Sequence, residues 1–111
     1  MFGVDMPKRT ATAQIINLDV LDKVAMWGKC VRIQRVKQRI LADDFCRRIF
    51  VSRPTLRRLE QGDPGVSATT YLAALNVLGL LNVAAPDIDP ALYQGNQAIR
   101  ARLPTGFDDD F

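Results

Sequence analysis

The stretch between Val51 and Gly62 constrains the fold of this chain more than any other, because it reads as a short helix with two unlike faces. At about 100° per residue, Arg53, Pro54, Arg57, Arg58 and Gln61 fall on one arc, and Thr55, Leu56 and Leu59 fall opposite. The ends agree with that pattern. Ser52 supplies an N-cap oxygen, Pro54 sits in the first turn where its missing N–H does no harm, and Gly62 suits the left-handed position past the C-terminus. The spacing predicts a helix of roughly nine residues. Three arginines on an exposed face are commonly no more than a solvated surface, so their meaning depends on what precedes them. The segment from Ala42 can pack across this helix through Phe45, Cys46 and Ile49, and two short helices joined by a turn form a helix-turn-helix.

With 111 residues, 48% of them hydrophobic, the chain can build one modest core and not two. The net charge of +3 conceals an asymmetry. Residues 29–62 carry ten Lys or Arg against Asp43, Asp44 and Glu60, a balance of +7, whereas residues 87–111 carry two Arg against five Asp. A concentrated positive field on a small domain points first to a phosphate-bearing polymer, and then to acidic proteins or anionic membranes. No apolar run reaches the length of a membrane span and the first residues lack a secretory pattern, so a cytoplasmic protein is expected.

Two cysteines, Cys30 and Cys46, and no histidine leave too few soft ligands for zinc or haem, so neither metal nor cofactor is expected. The missing histidine also removes the commonest general base, and no glycine-rich phosphate loop is present. Neither an enzyme nor a small-molecule site is expected.

Residues 1–18 read as a terminal arm in which Lys8 and Arg9 can touch phosphate and residues 10–18 can form a short strand. Asp19 can cap a long helix to about Arg39, with Leu21, Val24, Ala25, Gly28 and Val31 as one buried stripe, Cys30 at its margin and Trp27 near it. The last turns of that helix are cationic, and Lys37 and Arg39 are free to meet phosphate. Ser67 caps the helix of Tyr71, Leu72, Leu75 and Leu78, which ends at Gly79. Leu80, Leu81, Val83 and Ala84 form a short apolar helix before Pro86 that either completes the monomer core or makes a dimer contact. Asp89 and Pro90 can start a further helix through Leu103, with Gly95 as its weak point, followed by an acidic tail.

From Trp27 to Gly62 the chain resembles the xenobiotic-response-element family of Cro and phage-repressor-like helix-turn-helix proteins. The most specific part is Val51, Ser52 and Arg53, then Thr55 and Leu56, then Arg58, Leu59, Glu60, Gln61 and Gly62. The loop from Gly62 to Ser67, the run from Leu78 to Leu81, and the run from Arg100 to Pro104 are similar to a narrower group. These are HipB-like regulators, which repress their own operon and join the antitoxin complex of a HipA-type serine/threonine kinase.

The resemblance implies an all-α fold: a compact five-helix domain of the lambda-repressor-like type over residues 19–86, with an additional C-terminal helix in 87–111. It implies a homodimer on a palindromic DNA operator, and a HipA-type kinase or companion antitoxin as a second partner. Carried onto this chain, it brings Ser52, Arg53, Pro54 and Arg57 to base edges, with Arg58 beside them, at the rim or on phosphate. Thr55 and Gln61 join Lys37 and Arg39 on phosphate, Arg35 pairs with Glu60 behind the helix, and Leu80, Leu81 and Val83 serve the dimer. An interaction module that holds the kinase while binding DNA weakly is the alternative. Three departures and the acidic tail motivate it: Leu41 and Ala42 replace the usual capping and backbone-contacting residues, and Phe50 replaces the turn glycine.

Overall fold

The computed structural model describes residues 17–95, and these are all-helical with no strand among them. Five α-helices follow in order: α1 (Leu18–Lys37), α2 (Ala42–Ile49), α3 (Arg53–Glu60), α4 (Ala68–Val77) and α5 (Leu81–Ala84), with a single 3-10 turn at Pro90–Leu92 after them. Helix α1 lies against both α3 and α4, α2 lies against the same two, and α5 folds back on α4.

Local chemistry sets most of the boundaries. Asn17, not Asp19, caps α1, its side chain accepting the Asp19 amide at 2.6 Å. Asp19 then stands in the first turn, where a carboxylate meets the positive end of the helix dipole. The helix closes two residues before the expected Arg39, which turns into the left-handed region at φ 59°. Ser52 and Ser67 cap α3 and α4 by accepting the amides of Thr55 at 3.3 Å and Thr70 at 3.1 Å. Leu41 has no side-chain cap to offer α2, and Asp43 and Asp44 in its first turn compensate in part through the dipole.

The core is the space enclosed by α1 to α4. Val31, Phe45, Leu56, Leu59, Tyr71, Ala74 and Leu75 are almost wholly removed from water, and Cys46, Ile49, Val66 and Leu78 complete the cluster. Trp27 packs beside Tyr71 with ring centroids 5.9 Å apart, so its role here is packing. Burial pushes the Cys46 thiol up and keeps it protonated. The Tyr71 hydroxyl donates to the Asp63 carbonyl at 2.8 Å. Its burial, with the Asp63 carboxylate nearby as a smaller cause, pushes the phenol up to about 12.

At both ends the described residues depart from what was expected of them. No helix continues from Asp89 through Gly95. Asp89 caps only the 3-10 turn, and residues 93–95 leave the helical conformation. Ile88, Leu92 and Tyr93 are exposed, so tertiary burial does not supply what a short helix lacks in water. The remainder of that expected helix, the acidic tail, Lys8, Arg9 and residues 10–16 of the expected strand lie outside the described residues. Leu18, the last residue of that strand reading, is helical.

Candidate nucleic-acid interface

Helix α3 is held from behind at three points. Leu56 and Leu59 insert into the core. Gly28 of α1 admits the backbone of α3 so closely that a Cβ there would overlap the Leu59 carbonyl oxygen and lie 2.7 Å from the Gly62 nitrogen. The third point is charged: Arg35 Nε donates to Glu60 Oε2 at 2.7 Å, and Arg35 Nη1 donates to the Ile40 carbonyl at 3.0 Å. The Arg35 and Glu60 side chains keep only 12% and 8% of their exposure, so the guanidinium fork is fully engaged in a nearly dry site.

With its inner side fixed, α3 exposes Arg53, Pro54, Arg57, Arg58 and Gln61 together. Their availability differs. Arg53 Nη1 donates to Asp43 Oδ1 at 2.7 Å across the turn from α2, and Arg58 Nε stands 3.3 Å from Asp63 Oδ2. Arg57 meets no carboxylate among the described residues. The Ser52 hydroxyl is occupied with Thr55, donating to its Oγ1 at 3.0 Å while accepting its amide. Thr55 is half-buried, while Lys37 and Arg39 are exposed at the end of α1.

An open recess of about 440 Å³ between α1 and α3 collects Arg32, Arg35, Arg53, Arg57, Glu60 and Gln61. Ser52, Pro54, Thr55, Arg58, Lys37 and Arg39 do not line it. Guanidinium groups converging on one opening can meet a phosphate or the acceptor edge of a base.

Two participants escape a reading of the sequence. Arg32, which also approaches Glu60 at 3.9 Å, is visible there only as one cation of the α1 end. Asp43 is visible only as a charge in a count, because its partner is ten residues away across a turn. By contrast, the pairs of Asp44 with Arg47 at 3.5 Å and Arg48 at 2.9 Å follow the three- and four-residue spacing of any helix.

The hydrogen bond from Arg53, followed by its charge, holds the Asp43 carboxyl below the usual carboxylate range. Whatever this solvent-screened pair contributes to folding is present above the ordinary carboxylate pKa and is lost as pH falls through the lowered folded value.

Phe50 occupies the turn between α2 and α3 at φ 58° and ψ 47°, in the left-handed region, and is 93% exposed. The turn is not reshaped around it, and within the described chain no burial offsets its strain. Phe50→Gly should therefore stabilise the fold by about 0.5–1 kcal/mol, the left-handed penalty of an L-residue less the greater freedom of glycine when unfolded. A urea midpoint that falls on this substitution would show that the phenyl ring has contacts of its own. Of the expected dimer residues, Leu80 packs on the core and Leu81 is half-buried, which leaves only Val83 largely exposed.

Among the described residues no helix is long and apolar enough to cross a membrane. Compared with protein-family models, with curated proteins and with solved structures, the chain has no match in any of the three.

Proposed function

We propose that this protein is a dimeric, sequence-specific DNA-binding repressor in which α2 and α3 act as a helix-turn-helix of the lambda-repressor-like type. One observation carries the reading: α3 turns Arg53, Arg57, Arg58 and Gln61 to solvent while Leu56, Leu59 and the Arg35–Glu60 pair hold its opposite side. A rigid rod with a cationic outer edge fits the major groove, and an arginine fork reads O6 and N7 of guanine. Arg57, unencumbered by a carboxylate, is the first reader, and Arg53 reads once it exchanges Asp43 for a base. Lys37 and Arg39 add attraction to phosphate, so affinity falls steeply with salt. The resemblance to HipB-like regulators supplies the context: an operator upstream of its own frame, with a HipA-type kinase or companion antitoxin as the protein partner.

Footprinting on that upstream DNA, followed by gel-shift competition against unrelated DNA, tests the reading. Arg57→Ala should lower operator preference by about 5- to 150-fold, the value of one bidentate guanine contact at ~1–3 kcal/mol. The helical content should stay unchanged. Asp43→Ala, which frees Arg53, should strengthen binding. Unaltered selectivity in Arg57→Ala would reject α3 as the reader.

A second reading, an interaction module that holds the kinase while binding DNA weakly, is favoured by the exposed and strained Phe50. Under it, Phe50→Gly loses the protein partner and keeps whatever DNA binding the parent has.

A further inference from the structure

Helix α1 carries two apolar faces, and the core uses only one. Val24, Gly28 and Val31 point inward. On the opposite side, Leu18, Met26, Ile33 and Val36 remain between 48% and 73% exposed, interleaved with exposed Asp22 and Lys29. At 100° per residue these six fall within an arc of about 80°, at successive spacings of four, four, three, four and three. That is the seam of a helix awaiting another helix, and at 1.5 Å per residue it is about 27 Å long.

We propose that this face binds the same face of a second copy, with the two α1 helices antiparallel about a two-fold axis between positions 25 and 26. In that register Leu18 meets the partner's Ile33, Asp22 meets the partner's Lys29, and Met26 meets the partner's Ala25, and each contact occurs twice. The charges select both the occupant and its direction. Asp22 and Lys29 are equidistant from the axis that also pairs Leu18 with Ile33, so the register that matches the apolar residues sets opposite charges together, whereas a parallel pair would set Asp22 on Asp22 and Lys29 on Lys29.

The geometry also bears on DNA, and this part rests on the proposed function. The axis relating two antiparallel helices stands perpendicular to the plane they share. Arg32, which borders the α3 recess, lies about a quarter turn from the centre of the stripe. Both Arg32 edges, and the recesses beside them, therefore fall on one side of the pair, as two half-sites on one duplex require.

The test is the mass of the full chain in solution by sedimentation, with circular dichroism to verify folding. The parent should be a dimer. Ile33→Asp and Met26→Asp, at exposed positions, should each raise the dimer dissociation constant about 100-fold, roughly tenfold for each symmetric appearance. Asp22→Lys should weaken the dimer, and adding Lys29→Asp to it should restore the dimer. That rescue arises only in the antiparallel register, because positions seven apart do not touch within one helix. A parent chain that stays monomeric would overturn the proposal. So would a dimer indifferent to Ile33→Asp and Met26→Asp, or one dissolved by Val83→Asp instead. None of these results alters what Arg57→Ala does to operator selectivity, so the interface and the DNA reading can fail separately.

Discussion

Gly28→Ala should lower the stability of this protein by about 3 kcal/mol, at the upper end of what overpacking a core costs. The added methyl would overlap the Leu59 carbonyl oxygen and stand 2.7 Å from the Gly62 nitrogen and 3.0 Å from its Cα. All three are backbone atoms, so no side chain can rotate away, and α3 must move as a body. Gly62, at φ +77°, also stands close to α1, since a Cβ built on it would lie 2.7 Å from the Ala25 Cα. In an open helix the same substitution would stabilise by up to about 1 kcal/mol through helix propensity. The clash therefore has to exceed that gain, and the sign of the measured change separates the two effects. Urea denaturation of parent and variant is the measurement. A more stable variant would mean that α1 and α3 stand further apart than here. Since a domain of this size has only some 5–15 kcal/mol in total, the loss is a large share of it.

Glu60→Ala should cost about 3–5 kcal/mol for a different reason. Arg35 would remain folded into a site where 12% of its side chain reaches water, with its charge uncompensated. Arg32 approaches the same carboxylate at 3.9 Å, so two guanidinium groups would then face each other across a vacant position. The cost lies in the stranded charge and not in the worth of the pair. Hence Arg35→Met combined with Glu60→Leu should recover most of the loss, because desolvation of two ions offsets much of their attraction. Thermal unfolding of the single and double variants decides the matter. Equal losses in both would mean that the pair itself stabilises the fold. Under the proposed DNA-binding reading, operator binding in the double variant should weaken even where stability returns, because the pair ties α3 to α1.

How much of this molecule is legible in its residues depends on how far apart the partners are. The two faces of α3, the caps by Ser52 and Ser67, the stop at Pro86 and the left-handed Gly62 follow from neighbours within four residues, and the structure has them where the spacing puts them. The start of α1 lies two residues before the one that Asp19 would cap, because Asn17 and Asp19 are both able caps and only the path of the chain chooses between them. The helix expected after Asp89 has its cap and its proline in place, and yet the described residues up to Gly95 form only one 3-10 turn, in which Leu92 and Tyr93 stay exposed. The outer apolar stripe of α1 was hidden for the opposite reason: with apolar residues on two sides, the pattern of the inner face masks that of the outer one.

The site divides along the same line. Which side chains α3 offers to solvent is a matter of 100° steps along a single helix, and the order of residues was enough to decide it. Which of them are free was not, because Arg53 is tied to Asp43 and Arg58 leans on Asp63, while Arg57 alone of the three is left without a carboxylate among the described residues. Local hydrogen bonding and helical period are short-range and repeat in every context, so a string of residues carries them. Ion pairs across a turn, the close approach at Gly28 and the fate of an apolar face depend on the distance between whole elements, and only the packed chain decides that distance.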